Sequence, residues 1–179
     1  MLKSDFNSNF NRNREQMEKQ EEHIHKKELI LQYIQPGLLG LMDGSVSTLA
    51  PMFAAAFATH SNRITLLIGL SAAIGAAISM GFAEALSDTG VHTGRGHPIR
   101  RGTVTALMTF AGGIVHSLPF LLPDFNLALY LAYLTVGLEL MAISYIRYHY
   151  FRVNFFISSI QVIVGGVLVV LAGVFIGSA

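Results

Sequence analysis

The sequence predicts an all-α membrane protein with five transmembrane helices, its N-terminus cytoplasmic and its C-terminus outside. Three observations carry that expectation. The 179 residues are 52% hydrophobic and only 13% charged, with a mean hydropathy of +0.51, whereas a soluble domain carries about 25% charged residues. Polar density is concentrated at the start, which divides the chain into a cytoplasmic tail and charged helix over 1–35 and a transmembrane domain over 36–179. Within the second part, five stretches are long enough for a hydrocarbon core, which takes about 20 apolar residues. Composition also excludes function classes. A formal charge of +1 gives no basic field for nucleic acid, and the lack of cysteine removes disulfides, thiolate metal sites and thiol nucleophiles. A multi-pass membrane protein in contact with lipid is expected rather than a soluble enzyme.

Residues 1–12 are polar and Asn-rich and lack the apolar core of a secretory signal, so this end is expected to stay cytoplasmic. From Asn13 to Ile34 good helix formers and pairs such as Glu15 with Lys19 and Glu22 with Lys26 predict a charged helix that turns apolar near the bilayer. Pro36 is expected at the first turn of a new helix, where a missing N–H costs least. The spans are placed near 36–59, 63–87, 101–122, 126–148 and 155–177. His60-Ser61-Asn62 and Pro123-Asp124-Phe125 are short turns, so the spans they join run antiparallel. Lys3, Arg12, Arg14, Lys19, Lys26 and Lys27 precede the first span, and Arg95, Arg100, Arg101, Arg147 and Arg152 lie in alternate loops, with only Arg63 on the other side. The excess of cytoplasmic basic residues sets the predicted orientation. Ser71, Gly75 and Ser79 form a small-residue stripe on the second span, beside Ala72 and Ala76, and the fifth carries Gly165-Gly166 and Gly173-x-x-x-Gly177. Such stripes let helices approach closely, within one bundle or across a dimer interface.

Three carboxylates fall inside spans: Asp43, Glu84 and Glu139. A charge at the centre of a membrane helix costs about 2.5 to 3.5 kcal/mol on insertion scales, and intramembrane acids usually mark ion or substrate paths. Asp43 and Glu84 are expected at similar depth. Met80, Glu84 and Asp88 share a helical face, forming a ladder from the cytoplasmic mouth inward. Gly44 is expected to loosen the first span, and Pro51 to free the carbonyl of Ser47, one turn from Asp43. Asp43, Ser47 and that carbonyl would face the Met80 and Glu84 ladder. Carboxylates with a thioether suit Fe2+ or Mn2+ better than Mg2+, Ca2+ or Zn2+. The metal residues expected are Asp43, Met80 and Glu84, with Ser47, Asp88 and Glu139 as pathway or proton-coupling candidates. None of His92, His97, His116 and His149 is singled out as a ligand; His23 and His25, beside Glu21, Glu22 and Glu28, are a solvated helix face that could also collect metal.

These residues carry a family resemblance. GLLGLMDGSVSTLAP, IGAAISMGFAEALSD, GGIVHSLPFLLP and the glycine-rich ending resemble the vacuolar iron transporter family, in particular the membrane domain of its membrane-bound ferritin members, over about residues 36–179. The resemblance implies a five-helix homodimer that exchanges Fe2+ and related metals for protons, with Asp43, Met80 and Glu84 on the pathway at the dimer interface. Two departures matter: the linker TGVHTGRGHPIRRG stands where vacuolar members have a metal-binding insertion, and about 35 residues stand where a ferritin-like domain would be. No resident cofactor and no ferroxidase chemistry are implied. Metal delivery then falls to a separate ferritin-like or other partner, or to the histidine-bearing helix itself.

A metal–proton antiporter is therefore the leading expectation, with Fe2+ or Mn2+ as substrate. In the empty site clustered acids would keep protons near neutral pH, and metal binding would expel them. The alternative is a proton-coupled exporter of small organic cations, with Glu139 as the cation site and Tyr130, Tyr133 and Tyr145 supplying aromatic walls.

Overall fold

The computed structural model describes residues 2–91 and 93–179, with side chains from residue 14 onward; His92 and the side chains of Lys3 and Arg12 lie outside the described residues. The described elements are all helical: α1 (Leu2–Leu29), a π-turn (Ile30–Ile34), α2 (Gln35–Thr59), α3 (Asn62–Ser87), α4 (Pro98–Val115), a 3-10 turn (Leu118–Leu121), α5 (Phe125–Phe151) and α6 (Phe155–Ser178).

Pro36 does not begin a new helix. The chain runs from α1 into α2 with Ile34 at φ −69° and ψ −47°, and the Gln35 N–H donates to Ile30 O, five residues back. A proline removes one N–H and crowds the carbonyl four residues earlier; widening the preceding turn accommodates it without ending the helix. Arg14–Thr59 is thus one helix of 46 residues. At about 1.5 Å per residue it measures roughly 70 Å, over twice a hydrocarbon core of about 30 Å. In its charged half every side chain from Arg14 to Leu29 is exposed.

Among the described residues, four helices are long and apolar enough to cross a membrane: Arg14–Thr59, Asn62–Ser87, Phe125–Phe151 and Phe155–Ser178. The expected third span is the exception. Its helix α4 has 18 residues and carries Arg100, Arg101, Thr103, Thr105 and Thr109. Arg101, Thr105 and Thr109 are fully buried, because α4 packs between α2 and α3 and its polar groups meet protein instead of lipid. Thr105 Oγ1, for example, donates to Pro36 O of α2 at 3.1 Å.

Glycines set these close approaches. A Cβ on Gly40 or Gly44 would collide with backbone at Thr105 or Thr109, and one on Gly102 would lie 2.6 Å from Gly81 O. Gly44 therefore seats α4 on α2 instead of loosening α2, which remains helical through Pro51. In α6 a Cβ on Gly173 would lie 2.6 Å from Ala50 O, and one on Gly177 would collide with Ala54. That pair is spent inside the protomer. Gly75 of α3 has nothing within 4 Å of an added Cβ, and Ser71 and Ser79 are exposed beside it.

The turns close as their sequences suggest. His60 ends α2 in the left-handed region at φ 48°, Ser61 caps α3, and Asp124 and Asn154 cap α5 and α6. Asn62 Nδ2 donates to Leu122 O at 2.7 Å and Pro123 O at 3.1 Å, which ties the α2–α3 turn to the α4–α5 turn at one end of the bundle. The apolar core gathers near that end around Leu49, Met52, Phe53 and Phe120 and continues along α5 to Leu140 and Ile143. Phe53 stacks on Tyr133 with centroids 4.8 Å apart.

Candidate functional site

The surface of α2 is divided among its neighbours. Gly40, Gly44 and Thr48 turn towards α4, and Ala50 and Ala54 towards α6. At about 100° per residue, Asp43 and Ser47, one turn apart, each stand seven residues before Ala50 and Ala54 and so lie on the same side of α2 as that pair, two turns nearer its start. Asp43 is half-buried and Ser47 exposed. None of the ion pairs among the described residues involves Asp43.

The expected facing of Asp43 and Ser47 onto Met80 and Glu84 does not occur within one protomer. At this level α4 intervenes: its Thr105 and Thr109 meet Gly40 and Gly44 of α2, while its Gly102 and Ala106 meet Gly81 and Ala85 of α3. Asp43 and Glu84 lie on opposite flanks of that helix. Met80 is half-buried and Glu84 buried. Asp88 is not a third rung of the ladder, because α3 ends at Ser87 and Asp88 has extended backbone at φ −162°.

Glu84 and Asp88 instead face two arginines. Arg95 Nη2 donates to Glu84 Oε1 at 2.9 Å. Arg101, fully buried, sets Nε 3.2 Å from the same oxygen, donates through Nη1 to Asp88 Oδ2 at 3.2 Å and through Nη2 to Asp88 O at 3.0 Å. Arg101 Nε is misaligned for a hydrogen bond, so its contact with Glu84 is an ion pair without one. Two guanidinium groups on two carboxylates balance the charge. The Thr93 hydroxyl and the Gly90 N–H, with Arg101 behind them, hold the Asp88 carboxyl down to about 2, since each stabilises the ionised form. These arginines were legible in the sequence only as topology signals.

A second polar cluster lies inside the bundle. His116, at the end of α4, is fully buried; its Nε2 is 2.7 Å from Thr48 Oγ1 and its Nδ1 is 3.3 Å from Glu139 Oε2. Glu139 is buried, and its Oε1 has no partner. Ser117 Oγ donates to Met52 Sδ at 3.4 Å nearby. Glu139 was expected alone; His116 and Thr48 were not. The available signal was that a histidine and a glutamate in separate apolar spans each need a partner.

The remaining candidates are dispersed. His23, Lys26 and Lys27 share a groove of about 500 Å³ with His149 and Arg152, a basic lining. His97 is exposed at the start of α4 and offers no side-chain cap. Tyr130 is 75% and Tyr145 58% exposed while Glu139 is buried, so those two rings do not enclose its carboxylate. Among the described residues of one protomer, no three His, Asp or Glu side chains converge on a point that could hold a metal ion. Comparison of the chain with models of protein families, with curated proteins and with solved structures finds no match.

Proposed function

We propose that this chain is a transporter of the cell membrane that moves a divalent transition metal, Fe2+ or Mn2+, out of the cytoplasm in exchange for protons, working as a two-fold homodimer. One observation carries the reading: Asp43, a carboxylate inside an apolar helix, is half-buried with exposed Ser47 one turn away and takes part in none of the ion pairs among the described residues. A buried structural acid would be paired; this one is left for something outside the protomer. The exposed Ser71, Gly75 and Ser79 stripe, on the side of α3 opposite Met80 and Glu84, offers a surface for a second copy. Two-fold symmetry doubles Asp43, Met80 and Glu84, which answers the shortage of ligands in a single chain.

In this reading the two arginines have different parts. Arg101 is fully buried and neutralises Glu84 permanently; Arg95, at 23% exposure, is the cation that can leave Glu84 when a metal arrives. The test is metal flux in proteoliposomes containing only this chain. Fe2+ and Mn2+ should pass while Mg2+ and Ca2+ do not, Asp43→Ala should abolish the flux, and Met80→Leu should alter the preference among metals. Absence of flux, or an Asp43→Ala variant as active as the parent, overturns the reading.

A further inference from the structure

The interior cluster is not used by the metal reading, yet it joins three helices through groups that can exchange a proton. Thr48 Oγ1 has three neighbours: Gly44 O at 2.8 Å, Gly113 O at 3.4 Å and His116 Nε2 at 2.7 Å. A hydroxyl has one hydrogen to give. When Thr48 donates to Gly44 O, His116 Nε2 must carry the hydrogen that closes their contact. Nδ1 then faces Glu139 Oε2 at 3.3 Å, and two lone pairs would meet there unless a further proton sits on one of the two atoms. When that proton is gone, the single ring hydrogen is best placed on Nδ1, against the carboxylate. Nε2 becomes an acceptor, and the Thr48 hydroxyl must turn from Gly44 O to His116. One proton in the pair thus decides which way Thr48 donates.

The surroundings leave this pair to itself. The ionisable groups on the helices packed here are Asp43, half-buried on α2, Arg63 exposed at the start of α3, Glu84 at its far end with its arginines, and Arg100 and Arg101 at the start of α4. On α5 they are Tyr130, Tyr133 stacked on Phe53, Tyr145, Arg147 on Gln161, and Tyr148, His149 and Tyr150 near the end. The sequence of α6 holds none. Glu139 Oε1, buried and without a partner, is the atom a hydrogen-bonded structural carboxylate would not leave orphaned.

We propose that Thr48, His116 and Glu139 form the proton-carrying site of the transport cycle, separate from the metal-facing acids, and that Thr48 relays its occupancy to the helix that bears Asp43. The inference rests on the antiport reading above. Uptake adds one proton, net, from water and forms the Nε2–H bond while one hydrogen stays between Nδ1 and Oε2; release breaks Nε2–H, returns one proton to water and leaves the remaining ring hydrogen on Nδ1. Thr48 is a positioning residue: its hydroxyl switches between the pair and Gly44 O, one residue from Asp43.

Two measurements test it on the full chain. In proteoliposomes, metal accumulation driven by a pH gradient should be lost in Glu139→Gln and His116→Gln, and Thr48→Val should shift the pH midpoint of flux. Infrared difference spectra of the purified protein across a pH titration should show a protonated-carboxyl band that is absent in Glu139→Gln and displaced in Thr48→Val, a readout independent of transport and of reconstitution. If the parent moves no metal but the band titrates and is displaced by Thr48→Val, the antiport reading fails, and with it the place of this site in a transport cycle. If the parent couples metal to protons and Glu139→Gln and His116→Gln keep its pH dependence, the site is wrongly assigned while the antiport stands. A variant that does not fold is replaced by Glu139→Asp, which retains the proton and should retain the band at a shifted position; a Glu139→Asp spectrum without any titrating carboxyl also counts against the proposal.

Discussion

Arg101→Ala is the sharpest structural perturbation. The side chain is fully buried, lies 3.2 Å from Glu84 Oε1, and donates to Asp88 at 3.2 and 3.0 Å. Truncation leaves Glu84, 6% exposed, with only Arg95 as counter-charge. Breaking a buried pair by removing one partner costs about 3 to 5 kcal/mol, because the other charge is stranded. For a chain of this size that corresponds to a fall of roughly 6 to 20 °C in melting temperature. Arg95→Ala removes a partly exposed partner and should cost about 1 kcal/mol or less. With no cysteine or tryptophan in the chain, the assay is size-exclusion of a fluorescent fusion after stepwise heating in mild detergent. Glu84→Gln added to Arg101→Ala should recover part of the loss, because the stranded charge is gone. Equal melting of Arg101→Ala and the parent, or a further fall in the double variant, would refute the reasoning.

Gly173→Leu forces a side chain into Ala50 of α2 and should lower stability by about 1 to 3 kcal/mol as overpacking; Gly75→Leu meets open space and should leave the protomer intact but separate the dimer, both read by melting and detergent-corrected mass. Ser47→Cys, the only thiol it would then contain, should crosslink to its twin under mild oxidation, and a monomeric mass without crosslink would count against the two-fold arrangement. Asp88 is held at about 2 against an ordinary value of 3.8, so its contribution to stability is present above that ordinary value and is lost as pH falls through the lower one. The difference in melting temperature between the parent and Asp88→Asn should therefore narrow across that window, and a difference that persists at its acid end would show that the carboxylate charge is not the cause.

The helix ends were legible because length, hydropathy and capping residues agree: the expected spans at 63–87 and 155–177 meet α3 (Asn62–Ser87) and α6 (Phe155–Ser178). The break at Pro36 was misread, since a π-turn absorbs the ring and sequence spacing does not distinguish that from a helix start. The character of α4 was also hidden, because Thr105, Thr109 and Arg101 are polar for the protein around them and not for lipid. At the site, the spacing from Met80 to Glu84 was readable along one helix, but the partners were not. Arg95 and Arg101 reach Glu84 across a loop, Thr48 and His116 are 68 positions apart, and no local period encodes either contact. Gly44, read as a loosening residue, proved to be a seat for α4, and Gly173 and Gly177, read as contacts within the bundle or across a dimer, proved to be seats for α6, a distinction made only by what lies opposite them.

The most direct measurement is simultaneous recording of metal and protons. Proteoliposomes holding the chain, loaded with an internal pH dye, receive Mn2+ on one side under anaerobic, metal-buffered conditions, and the experiment is repeated with Fe2+. Antiport predicts that metal entry is matched by proton exit, that an imposed pH gradient drives metal uphill, and that Glu84→Gln abolishes both. Metal movement without an opposing pH change, or a Glu84→Gln variant that transports as well as the parent, would contradict it.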